Sequence, residues 1–218
     1  MISLYLKLFY KIYGIMNSNQ TVKGIKHIYN NDVKIARIID TAGTFELSPH
    51  KNYYYSLIKA IVGQQLSVKA AASINKKFFL FFKGKPSKHK ILSTEDLTLR
   101  NLGLSWAKVK YVKNLSQKII NKEISFKNIN NKSNKEIISE LTKVKGIGIW
   151  TVHMFLIFTL GRLNVLPVND LGLKNAIKSL YGLRKVPDEN KIKQIANKNG
   201  WEPYSTIASW YLWKSLDI

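Results

Sequence analysis

Between Ile149 and Leu160 the chain reads IWTVHMFLIFTL, apolar nearly all the way round a helical wheel. Such a segment is too short to cross a bilayer. Its hydrophobic surface must therefore be covered by other helices, which puts it in the middle of a bundle. It is punctuated at both ends. Gly146-Ile147-Gly148 precedes it, Gly161-Arg162 follows it, and a short loop through Pro167 leads to Asp170 at the head of another helical run. Glycines two apart let the backbone turn tightly and expose successive amides. A helix beginning there adds its positive dipole end. Two uses fit this corner: a plain turn between helices, or a clamp for phosphate that ignores base identity. His153 reads as an interior histidine, whereas Trp150, at the helix mouth, can present its ring to a cleft.

The remaining periodicity is helical too. The spacing predicts helices over 32–42, 52–62, 67–82, 93–101, 106–121, 133–143, 188–199 and 205–216. Ser93 with Asp96 and Ser133 with Glu136 have capping-box spacing. No stretch alternates with period two for long enough to make a sheet, so the expected class is all-α. Lys122–Lys135 is a polar, Asn- and Lys-rich connector, either a solvated linker or a loop carrying lysines toward phosphates.

Composition narrows the chemistry. With 35 basic and 13 acidic residues among 218, the formal charge is +22, which favours a polyanionic partner; a Lys-, Asn- and Ile-rich codon bias would produce the same excess. There is no cysteine, which removes disulfides, thiolate metal sites, thiol nucleophiles and iron–sulfur clusters together. The four histidines show no i, i+4 pairing, so no metal site is expected. The N-terminal MISLYLKLFYKIYGIM is interrupted by Lys7 and Lys11 and lacks the layout of a signal peptide. It reads as an amphipathic lead-in or as translation from an upstream start, with Met16 the alternative start. No membrane span is expected, and the expected location is cytoplasmic, with the nucleoid.

Taken together, Gly146-Ile147-Gly148-x-Trp150-Thr151, Met154-Phe155, Leu160-Gly161-Arg162 and Pro167-Val168-x-Asp170 resemble the helix–hairpin–helix DNA glycosylase superfamily, most closely the 3-methyladenine DNA glycosylase II type. Three further segments fall in family order: Ile61–Ala71 (IVGQQLSVKAA), Leu102-Gly103-Leu104-Ser105 followed by Lys108, and Trp201-x-Pro203-Tyr204-Ser205-Thr206-x-Ala208. The resemblance covers roughly residues 25–216. It implies a two-lobed helical bundle with a cleft between lobes. One lobe is discontinuous, 1–50 with 166–218, and carries the catalytic Asp170. The other, 51–165, holds the helix–hairpin–helix at about 137–160. It also implies a base pocket of Trp150, Tyr204, Gln64 and Met154, a duplex wedge at Gln65 or Leu66, and phosphate contacts at Lys145, Gly146 and Gly148. The implied partner is double-stranded DNA containing damaged bases, engaged by a monomer with no cofactor and no metal.

Three positions depart from the family pattern: Asn169 where a second aspartate is common, Ser205 where arginine is usual, and Met154 where some relatives have tyrosine. They bear on which bases are accepted. In the bifunctional relatives a lysine nucleophile stands where Trp150 stands here, so the resemblance implies simple hydrolysis without lyase chemistry. Asp170 also suits a plain helix N-cap, and a capped carboxylate is at the same time a fixed one. The rival readings are a non-catalytic DNA-binding module built on the hairpin and the lysine field, and a glycosylase for another damaged base.

Overall fold

The computed structural model describes residues 19–217, and every regular element among them is helical. They divide into two compact units, one taking the chain up to Ser48 and again from Gly161, the other running Pro49–Leu160.

The first unit contains α1 (Asn19–Asn31), α2 (Val33–Thr41), α10 (Leu171–Tyr181), α11 (Glu189–Lys198) and α12 (Ser205–Lys214). Its core is aliphatic and aromatic: Ile25, Ile28, Ile35, Leu173, Ile177, Trp201, Ile207, Tyr211 and Leu212 are 0–1% exposed. The helical reading of 32–42 missed α1, because Asp32 caps the second of two consecutive helices. Its carboxylate accepts from the amides of Lys34 and Ile35 at 3.0 and 3.1 Å. The same carboxylate, 1% exposed, also receives the Trp201 indole N–H at 2.8 Å and the Tyr181 hydroxyl. Four donors on one buried carboxylate offset the cost of taking its charge out of water. Burial and the neighbouring Asp32 charge together push the Tyr181 phenol well above its ordinary value.

The second unit contains α3 (Tyr53–Gly63), α4 (Val68–Phe81), α5 (Lys88–Ser93), α6 (Asp96–Asn101), α7 (Trp106–Ile120), a 3₁₀ turn (Ile129–Asn131), α8 (Asn134–Leu141) and α9 (Ile149–Met154). The predicted capping box at Ser133 and Glu136 is present in full. The one at Ser93 and Asp96 is not: Ser93 ends α5, Asp96 begins α6, and no helix spans 93–101. Ser93 and Thr94 spend their hydroxyls on the Lys90 carbonyl instead, closing the earlier helix. The connector after α7 is packed rather than merely solvated. Ile124 and Ile129 are buried, and Glu140 of α8 accepts from the Ser125 amide at 2.8 Å and pairs with Lys132.

The apolar segment after Gly148 is central, with Val152, Leu156 and Ile157 at 0% exposure, but it is not one uniform buried helix. It begins as α9 and widens into a π turn over Phe155–Thr159, with Leu160 N bonding to Phe155 O at 3.1 Å. Ile149, Trp150 and Phe158 are 43–46% exposed.

Close packing in the first unit leads to one expectation. A Cβ on Gly24 of α1 would lie 2.4 Å from Ile207 Cδ1 and 2.5 Å from Tyr204 Cδ1. Gly24→Ala gains at most about 1 kcal/mol of helix propensity, against about 1–3 kcal/mol of overpacking. Net destabilisation is therefore expected in urea unfolding.

Candidate active site

In the second unit a cavity of about 900 Å³ opens between the α3–α4 turn, the start of α7, the glycine hairpin and α9. The pattern that builds its wall is simple. Trp150, Met154 and Phe158 lie four apart on one helical stripe and all line the cavity, joined by Thr151 and Phe155. The π turn falls within this stripe, and such widenings are common where a helix carries a site.

Facing the stripe are Gln64, Gln65 and Leu66, in the turn between α3 and α4. Gln64 is half-buried, and its side-chain Nε2 donates to the Gly146 carbonyl at 2.7 Å. One half of its amide is thus committed to the hairpin. Gln65 has φ +54°, a left-handed conformation that costs a non-glycine residue about 1 kcal/mol or more. Gln65 and Leu66 are both exposed at the tip. At the base of the turn, Lys108 of α7 is 9% exposed and donates from Nζ to the Val62 carbonyl at 2.8 Å. Burial holds its ammonium below the usual lysine value.

The hairpin joins α8 to α9. Gly146 has φ +83°, and an added Cβ would sit 2.1 Å from the Tyr111 ring. Glycine is required there twice over, by conformation and by space. Gly148 is different: it caps α9 with φ −92° and has nothing within 4 Å of an added Cβ. Its neighbourhood is open, as an approaching phosphate oxygen would need. Among the described residues, neither glycine amide makes an intramolecular hydrogen bond. Lys145 is exposed, and its amide is taken by Asn114 Oδ1 at 2.9 Å. Of the residues expected at the site, Gln64, Gln65, Leu66, Gly146, Gly148, Trp150 and Met154 line this one cavity, while Lys145 stands beside it on the hairpin.

Asp170 and Tyr204 belong to the other unit. Asp170 N-caps α10, with its Oδ1 accepting from the Leu173 amide at 2.7 Å. The same oxygen accepts from the Trp213 indole N–H at 2.8 Å. Charge-assisted bonds of this kind fix a carboxylate's orientation. Gly172 makes room for the arrangement, since a Cβ there would be 3.1 Å from Asp170 Oδ1 and 3.4 Å from Trp213 Cδ1. The loop before Asp170 is also tied to α12. Thr206 Oγ1 donates to the Arg162 carbonyl at 2.7 Å and accepts from the Val165 amide at 3.0 Å. Tyr204, half-buried just before α12, rests on Gly24, with its ring 5.4 Å from that of His27. Ser205 is 1% exposed and its carbonyl takes the Ser209 hydroxyl.

Sequence reasoning passed over Trp213. Its partner Asp170 lies 43 residues away in the chain, so no local spacing points to the pairing. Among the described residues there is no cluster of side chains able to hold a metal ion, and no helix long and apolar enough to cross a membrane.

The fold and the hairpin define a helix–hairpin–helix DNA repair scaffold. A family described as HhH-GPD superfamily base excision DNA repair protein matches residues 58–202, and the chain belongs to that superfamily. It is similar to the alkylbase DNA glycosidase-like protein mag2 of Schizosaccharomyces pombe, 34% identical over 195 residues, which is 87% of this chain and 91% of that one. The structure resembles the S. pombe 3-methyladenine DNA glycosylase Mag1 in complex with abasic DNA, with a TM-score of 0.82 and 32% identity over 90% of this chain and 97% of that one. It is also similar to a DNA-3-methyladenine glycosidase of Bacillus halodurans, with a TM-score of 0.78 and 35% identity over 88% of each chain.

The two hairpin glycines should separate in the laboratory. Gly146→Ala is expected to cost about 2–4 kcal/mol, from the left-handed backbone and the Tyr111 clash together. Gly148→Ala should stay within about 1 kcal/mol of the parent. Denaturant midpoints of the two variants check the difference.

Proposed function

We propose that this protein is a monofunctional DNA glycosylase that hydrolyses the N-glycosidic bond of flipped alkylated purines, of the 3-methyladenine and 7-methylguanine type, leaving an abasic site. The observation that carries this is Asp170 at the head of α10, one oxygen held by the Leu173 amide and the Trp213 indole, in a chain whose relatives are named as 3-methyladenine glycosylases. A helix cap alone would account for the Leu173 bond, and the activity named for the relatives supports the catalytic reading.

The chemistry follows from the parts. The open amides of Gly146 and Gly148 at the head of α9, with Lys145 beside them, bind a backbone phosphate. Gln65 or Leu66 enters the stack as the nucleotide swings out. That rotation costs a few kcal/mol, least for a damaged base. Trp150, on the cavity wall, takes the extruded base by stacking, and a positively charged methylated purine gains roughly 0.5–2 kcal/mol from such an electron-rich ring. The bond then breaks through an oxocarbenium-like state. The Asp170 carboxylate stabilises the developing positive sugar and orients the attacking water, whose proton it accepts. A cationic base departs neutral, so no strong general acid is needed. Trp150 offers no amine for a Schiff base, and Lys108 is committed to the Val62 carbonyl. The enzyme works alone on chromosomal DNA in the cytoplasm. Met154, Asn169 and Ser205 set its substrate range.

The decisive experiment is incubation with methylated DNA and chromatographic identification of the freed bases. Asp170→Asn is expected to slow base release by about a hundredfold or more while duplex affinity stays within a few-fold. Equal loss of both would reject the assignment. Borohydride treatment during turnover should trap no enzyme–DNA adduct, and a trapped adduct would overturn the monofunctional reading.

A further inference from the structure

We infer that Lys108 is a positioning residue for the turn that enters the DNA, acting through the Val62 carbonyl and not on the lesion itself. This rests on the reading of Gln65 and Leu66 as the wedge. Lys108 lies in the first turn of α7, whose N-cap, Ser105, accepts from the Lys108 amide at 3.3 Å. Its side chain reaches Val62, near the end of α3, and donates to that carbonyl at 2.8 Å. The final carbonyls of a helix have no partner within it, and a cation there also meets the negative end of the dipole. The Gln64 amide bonds to Ile61 O at a long 3.3 Å, so the helix closes loosely by its own means.

The turn that follows is held from two sides. Lys108 fixes its root, and the Gln64 side chain fixes its shoulder to Gly146 of the hairpin. Between them Gln65 keeps its left-handed backbone, a conformation that persists only where its surroundings impose it. Burying an ammonium to satisfy one carbonyl is an expensive tie. A neutral donor or a water would serve if only the hydrogen bond mattered. Lys108 lines the cavity with Gln64, Gln65 and Leu66, so its cost is sustained at the root of the segment that must push into a base stack without folding back. The hairpin tie adds that phosphate docking and wedge insertion move as one body.

The test compares wild type, Lys108→Met, the turn-stripped pair Gln65→Ala with Leu66→Ala, and the triple variant. Two readouts are needed: single-turnover base release from a methylated duplex, and the fluorescence rise of 2-aminopurine opposite the lesion on binding, which reports extrusion without chemistry. Lys108→Met should fold, bind duplex within a few-fold, and lose about ten- to a hundredfold in base release with a matching loss of the fluorescence amplitude. In the turn-stripped background the same change should cost less than about twofold, because residues that act through one another are not additive. If Lys108→Met is unstable, Lys108→Gln, neutral and shorter, takes its place. The inference is overturned if Lys108→Met matches wild type in both readouts. It is equally overturned if the full loss persists in the turn-stripped background. A wild type that extrudes the nucleotide yet frees no base would sink the glycosylase reading and leave the role of Lys108 standing.

Discussion

One oxygen of Asp170 receives two donors, a backbone amide from its own helix and an indole N–H from α12. Much of the first unit is arranged to make that meeting possible. Thr206 stitches the incoming loop at Arg162 and Val165, while Trp213, at the other end of the same helix, holds the carboxylate. Gly172 leaves the gap through which the indole approaches. The helix itself is fixed by burial, since Ile207, Ala208, Tyr211 and Leu212 are all 0% exposed. The reactive group thus inherits the rigidity of the core, which is what preorganised electrostatic stabilisation needs.

The second unit solves a different problem, offering an open wall and a jutting turn without losing its packing. α9 and the π turn after it do this by dividing their faces: Val152, Leu156 and Ile157 are sealed, whereas Trp150, Met154 and Phe158 line the cavity. The hairpin depends on Tyr111, whose ring occupies the space a side chain at 146 would need. Gly146 therefore matters for packing as much as for exposing amides, and Gly148 for openness alone.

Much of this was legible in the residues. Helical periodicity held because amphipathic stripes answer to burial, and the Ser133–Glu136 box held because both halves of the cap are local. The Ser93–Asp96 spacing misled because the pattern of a cap does not say which side of it the helix lies on. α1 was missed since an Asn-rich segment with few long apolar residues differs little from a loop until Ile25 and Ile28 meet the core. The cavity residues close in sequence were legible through the motif that carries them. Trp213 and the tie from Lys108 to Val62 were not, because each joins positions some forty residues apart. No local pattern encodes such a pairing.

The π turn at Phe155–Thr159 has an evolutionary implication. It amounts to one surplus residue in an α-helical ladder. Excising Phe155, Leu156 or Ile157 would restore ordinary winding and leave Phe158 about two full turns from Trp150, on the same face but drawn roughly 1.5 Å closer along the axis. A descendant could therefore reshape its pocket wall by a one-codon deletion, with every surviving side chain unchanged.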